Sequence, residues 1–235
     1  MTRPVHLLHD AAALARMLAI DTPCCTHIAM STTGTPGAWG AFVDQNPLAG
    51  NWIVDAEIPC GRIVGYSGTL GDSLFADEPR TWMRPGHERF AAFLDEIVPA
   101  LRDHGRTLCI RPHHRHVIGD VHAAVKMLRD RAGAPVEVLL SPADLLAPSM
   151  LGQLDEHLER MFAHLGPVAA GVLIADVAEA DAGDGEGLLE TRPIGEGVLP
   201  TDLLARLLEA HVPATTPVIL RTGHDLAHQR GLIGL

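Results

Sequence analysis

The sequence predicts an α/β fold, a (β/α) barrel of the TIM type that is short by a strand or irregular over its N-terminal strands. Three observations carry this. From residue 87 onward apolar strands alternate with amphipathic helices, and four strand ends, Arg111, Ser141, Asp176 and Arg221, recur every 30 to 45 residues, about one βα unit with its loops. The strands are nearly unbroken apolar runs, as in a parallel sheet covered by helices. No GxGxxG follows any of them, so a dinucleotide fold lacks its phosphate-binding turn.

The first 86 residues are less regular. PVHLL reads as a strand, HDAAALARMLAI as a helix, THIAMST as a second strand and GRIVGYSG as a third. Between the last two, TTGTPGAWGAFVDQNPLAGNWIVDAE has little periodicity and many turn residues. HERFAAFLDEIVPALRDHG then places Phe90, Phe93, Leu94, Ile97, Val98 and Leu101 at helical spacing, with Pro99 as a bend and Gly105 as the stop. TLCI is the next strand. Asp120 caps a helix carrying Val121, Val125 and Leu128 that ends at Gly133, and VEVLL follows as a strand.

A helix over 150–165, the strand AAGVLIAD and a polar, mobile loop from Glu179 to Gly187 continue the alternation. Pro200 opens a helix with Leu203, Leu204, Leu207 and Leu208 on one face, and TPVILRT is the last strand. This count gives seven strands.

Length and composition bound the rest. At 235 residues the chain suits one large domain or two small ones, with one as the default. It is 47% hydrophobic but only 4% aromatic, so the core must rest on Leu, Ala, Val and Ile. The formal net charge of -11 disfavours a phosphate-tracking surface, hence no nucleic-acid partner. Apolar runs are broken short of a membrane span, and the N-terminus lacks a secretory pattern. Cys24, Cys25, Cys60 and Cys109 contain no CxxC, which suits reduced thiols in a cytoplasm. No cofactor is expected.

LCIRPHHRH, residues 108–116, sets three histidines within four positions beside two arginines. The imidazoles invite zinc; the guanidinium groups oppose it.

The order LCIRPHH, VEVLLSPADLL, GVLIADV, RPIGEGVLPTDLLARLLEAH and TPVILRT resembles the C-terminal half of the xylose isomerase-like barrels, over roughly residues 60–225. That family includes sugar-phosphate isomerases and epimerases and metal-dependent abasic-site endonucleases. The resemblance implies one xylose isomerase-like barrel domain over 1–235 with its site at the C-terminal mouth of the strands. It also implies a metal held by Glu, Asp, His and Glu at successive strand ends. Here the matching positions depart from that pattern. Glu-Pro-His becomes Arg111-Pro112-His113, Asp-x-x-His becomes Ser141-Pro142-Ala143-Asp144, a histidine is replaced by Leu173 although Asp176 remains, and the last glutamate becomes Arg221.

Replacing two glutamates by two arginines makes the mouth hostile to a divalent cation. It makes it receptive to a small anion, which a guanidinium fork can grip. The expectation is therefore an isomerase- or epimerase-like barrel without the family metal. It binds a small anionic metabolite through Arg111 and Arg221, with Ser141, His224 and Tyr66 orienting the ligand. His113 and Asp176 are the candidates for metal-independent proton transfer. Each has a plainer alternative: an ion pair for the arginines, a loop cap for Asp176, a turn for Ser141. The other function class is a catalytically silent barrel that binds a ligand or another protein.

Overall fold

The structure is a computed structural model in which residues 3–18, 25–32, 37–50, 52, 60–179, 188–223 and 225–235 are described. Chain order begins with β1 (Val5–Asp10), α1 (Ala11–Leu18), β2 (His27–Ser31), β3 (Ala38–Val43) and β4 (Arg62–Tyr66). It continues through α2 (Arg84–Asp103), β5 (Thr107–Arg111), α3 (Val121–Asp130), β6 (Val136–Leu140), the single turn α4 (Pro142–Leu145) and α5 (Leu154–Leu165). Then come β7 (Gly171–Ile174), β8 (Asp176–Glu179), β9 (Leu189–Arg192), α6 (Thr201–His211), β10 (Val218–Arg221) and α7 (Leu226–Leu232).

Eight strands close a barrel in the order β1-β10-β7-β6-β5-β4-β3-β2. The barrel is complete, and its irregularity is a matter of direction. β2 runs antiparallel to both β1 and β3, while the other junctions are parallel. The eighth strand, β3, lies in the segment that showed little periodicity. Its sequence AWGAFV is apolar throughout and interrupted by Gly40, so it carries no alternation to read. Gly40 packs closely there: a Cβ would lie 3.1 Å from Val64 Cγ2.

The reversal of β2 follows from α1. Asp10 caps this helix by accepting Ala13 N–H at 2.6 Å. Ala11 N–H donates to Thr26 O at 2.9 Å, and Asp10 stands opposite His27 in the ladder. The chain therefore leaves and re-enters the barrel at the same end. α1 sits at the C-terminal mouth, where a βα unit would have carried its helix back down the outside.

The outer helices follow the sequence periodicity. α2 buries Phe90, Phe93, Leu94, Ile97 and Leu101, and reaches its C-terminus despite Pro99; Gly105 then turns with φ 59°. α3 is capped by Asp120, which accepts Ala123 N–H at 2.8 Å. α6 buries the four predicted leucines. The predicted 150–165 helix begins as a tight turn over Pro148–Gln153 and becomes α-helical at Leu154. AAGVLIAD splits at Ala175, and β8 leaves the barrel to pair with β9 as a separate antiparallel hairpin. The loop expected to be mobile lies mostly outside the described residues. Among those described, no helix is long and apolar enough to cross a membrane.

Inside the barrel each strand supplies one residue to a packed cluster: Leu8, Ala29, Phe42, Val64, Cys109, Leu139, Leu173 and Ile219. Beneath it, at the N-terminal end of the strands, Arg62 pairs with Glu137 at 2.7 Å and stacks on Trp39 with Cζ 4.5 Å from the ring centre. The core and this plug fill the lower barrel.

Candidate functional site

Strand residues alternate faces, so one inward step above the interior cluster the chain presents Asp10, His27, Asp44, Tyr66, Arg111, Ser141 and Arg221. In β2 that step runs backward along the sequence because the strand is reversed. The charged members of this ring act on one another: His27 feels Asp44, Arg221, Asp10 and Arg111, while Tyr66 feels Arg111, Asp144, Asp44 and Arg221.

Arg111 and Arg221 both stand at this mouth, but in different states. Arg111 is held by Asp144 in a fork, with Nε to Oδ2 at 2.6 Å and Nη2 to Oδ1 at 2.8 Å. Asp144 is buried and the Arg111 side chain is 12% exposed, and the guanidinium lies 4.8 Å from the Tyr66 ring centre. Burial of Arg111 opposes its charge; Asp144 and the other neighbours more than reverse this and raise its pKa. The ion-pair alternative therefore describes Arg111. Arg221 is half-buried, and among the described residues its guanidinium has no acidic hydrogen-bond or ion-pair partner. Burial first, and the Arg111 charge second, lower its pKa from the usual arginine value.

Ser141 is fully buried, and its Oγ has no hydrogen-bond partner among the described residues. It does mark a turn, since Ser141 O accepts Asp144 N–H at 3.2 Å. Its hydroxyl nonetheless remains on the inward face with Leu139. Burial pushes the Tyr66 phenol up, so it is neutral.

The other expected residues are occupied. Asp176 is 1% exposed, and its carboxylate accepts three backbone N–H groups: Val177 at 2.9 Å, Gly195 at 3.0 Å and Leu199 at 2.8 Å. It organises the PIGEGVLP loop. A Cβ at Gly197 would lie 2.5 Å from Asp176 Oδ1 and 2.2 Å from Val177 O, which explains that glycine. These contacts realise the loop-cap alternative for Asp176.

His113 is buried against Tyr66, Phe75, His114 and His116, and its Nδ1 accepts Arg115 N–H at 3.1 Å. Burial lowers its pKa well below the usual histidine value. His116 donates Nε2–H to Leu74 O at 2.7 Å, and burial pushes it down to about 4. Arg115 Nη1 donates to Phe75 O at 2.9 Å. The HHRH segment thus anchors the loop after β4. Stacked rings such as His113 and His114, with centres 4.5 Å apart, do not converge on one ion. Among the described residues no group of three His, Cys, Asp or Glu is arranged to hold a metal. His224 lies outside the described residues.

Asp10, His27 and Asp44 were not singled out from sequence, nor was the role of Asp144. His27 is the most informative. Thr26 Oγ1 donates to Phe42 O at 3.1 Å, so its 3.2 Å contact with His27 Nδ1 is one in which the ring donates. The Nδ1 proton leaves Nε2 as the basic nitrogen. Burial is the first cause lowering the His27 pKa. Only knowledge that β2 is reversed could have placed this residue at the mouth.

No protein-family model and no curated protein matches the sequence. The structure is similar to that of a D-psicose 3-epimerase determined in the presence of D-fructose, at 17% identity and TM-score 0.47 over 75% of this chain and 56% of that one. A xylose isomerase-like TIM barrel protein from Mycobacterium smegmatis in complex with magnesium matches at 12% identity and TM-score 0.49, over 75% of this chain and 61% of that one. An L-ribulose 3-epimerase matches at 12% identity and TM-score 0.49, over 77% and 55%. The chain thus spans less than two thirds of these proteins, and no residue role transfers at such identities. The protein is a closed, mixed eight-stranded α/β barrel, and its structural neighbours include xylose isomerase-like TIM barrel proteins and epimerases.

Proposed function

We propose that this chain binds a small anionic metabolite in the barrel mouth, with Arg221 as the cation that receives it. The observation supporting this is the contrast between the two arginines. Arg111 has its charge cancelled by Asp144, whereas Arg221 is half-buried with no acidic hydrogen-bond or ion-pair partner among the described residues. A partly desolvated guanidinium gains from a bidentate anion. A divalent cation beside it is repelled. The engagement of Asp176 and His113 favours a ligand-binding barrel over their use in proton transfer.

A second reading, metal-independent proton transfer of the isomerase or epimerase kind, has one observation in its favour. His27 is a neutral imidazole with Nε2 as its basic nitrogen, within electrostatic reach of Arg221. In this reading Arg221 holds the anion and His27 moves a proton next to a carbonyl.

Thermal melting of the full chain in EDTA, against phosphorylated sugars and hydroxy or keto acids, tests the binding reading. At least one anion raises the melting temperature of the parent protein and not of Arg221→Gln. Stabilisation by zinc, manganese or magnesium alone, with no response to anions, overturns it. Solvent deuterium incorporation into the bound compound, lost in His27→Gln, selects the second reading.

A further inference from the structure

We infer that the ligand is a small hydroxy acid, carrying one carboxylate and no phosphate, with its carboxylate on Arg221 and its hydroxyl on Ser141. This rests on the binding reading above and narrows it by charge and by hydrogen bonding.

Within the inward ring, Arg221 is the guanidinium that has no acidic hydrogen-bond or ion-pair partner among the described residues. Arg111 is cancelled by Asp144, the His27 ring is neutral, and so is the Tyr66 phenol. The ring also holds the carboxylates of Asp10 and Asp44, which act on His27, and Glu190 of β9 pairs with Arg192 but still acts on Arg221. A phosphate monoester carries between about one and a half and two negative charges at neutral pH. Placed on Arg221 it keeps an excess of negative charge facing those carboxylates in a partly desolvated site. A carboxylate carries one, matches the single guanidinium, and presents two oxygens to its fork.

The second observation is independent of charge. Ser141 Oγ is buried in the inward ring without a hydrogen-bond partner among the described residues. A buried hydroxyl without a partner is costly, and a ligand hydroxyl both donates to it and accepts from it. An unsubstituted carboxylate such as propionate offers nothing there. Phe42, Leu139 and Ile219 form an apolar floor below, which suits a short carbon skeleton and no second anion.

Titration calorimetry on the full chain in EDTA tests this, with D-glycerate and L-lactate compared with propionate, glycerol 3-phosphate and ribose 5-phosphate. The hydroxy acids bind at least tenfold more tightly than either phosphate. Ser141→Ala weakens the hydroxy acids at least threefold and leaves propionate unchanged. Arg221→Gln abolishes binding, and Arg221→Lys, which keeps the charge and loses the fork, weakens it several-fold. Phosphates that bind as tightly as the hydroxy acids, still dependent on Arg221, overturn the hydroxy-acid assignment and leave anion binding at the mouth standing. Hydroxy acids indifferent to Ser141→Ala overturn the assignment in the same way. Binding of every anion unchanged in Arg221→Gln overturns the site itself.

Discussion

Asp144 grips Arg111 through both carboxylate oxygens, at 2.6 and 2.8 Å, across 33 positions of sequence and in a buried setting. Removing one member of such a pair leaves a buried charge uncompensated, at a cost of about 3–5 kcal/mol, whereas replacing both by apolar groups is often neutral. Asp144→Asn therefore lowers the urea midpoint sharply, and Arg111→Met combined with Asp144→Leu restores most of the loss. An Asp144→Asn protein with the parent midpoint contradicts this.

The carboxylate of Asp176 serves two N–H groups of the loop that precedes α6, from Gly195 and Leu199, and that of Val177 beside it in β8. Asp176→Ala leaves those donors without it and costs about 3 kcal/mol. Because this is a loop-holding role, the same variant retains anion binding at Arg221 once folded. Loss of binding with an unchanged melting temperature points instead to contact between Asp176 and the ligand.

The histidine cluster makes stability fall in acid. In the folded protein His116 is pushed down to about 4, and His113 and His114 are lowered as well, each mainly by burial. In the unfolded chain an imidazole titrates near 6.5. Below that pH the unfolded state takes up protons that the folded state refuses. Stability is complete above about 6.5 and declines by about 1.4 kcal/mol per pH unit for each such histidine down to its folded pKa. His116→Gln keeps an N–H for Leu74 O and removes one titrating group. Urea midpoints between pH 7.5 and 4.5 fall less steeply in that variant; equal slopes refute the assignment.

At the closed end, a Cβ on Gly171 would lie 2.6 Å from Trp39 Cζ2. Gly171→Ala must displace the indole on which Arg62 stacks. Overpacking of this kind costs about 1–3 kcal/mol. The near-ultraviolet circular dichroism of the tryptophans changes together with the lower melting temperature. An unaltered spectrum means that the ring has room to move.

The helices were legible because amphipathic spacing survives as a local pattern. Phe90 to Leu101, the Asp120 cap and the four leucines of α6 all appear in the structure as the sequence indicates. The barrel strands from β4 onward were legible as short apolar runs between these helices, whereas the β8–β9 hairpin was not foreseen. β3 was not, because an all-apolar hexamer containing glycine has no period. The mouth was half legible: Arg111 and Arg221 stand at strand ends as expected, yet which of them is cancelled could not be read from residue order.

Amino-acid order alone settles the barrel class, its outer helices and the presence of two guanidinium groups where resemblance leads one to expect acids. The turn through α1 settles the reversal of β2, which brings His27 to the mouth, and the pairing of β5 with β6 settles the meeting of Arg111 with Asp144. The reason is physical. Helical periodicity is written within a dozen residues, whereas charge cancellation depends on distances through space between segments that only a closed sheet brings together.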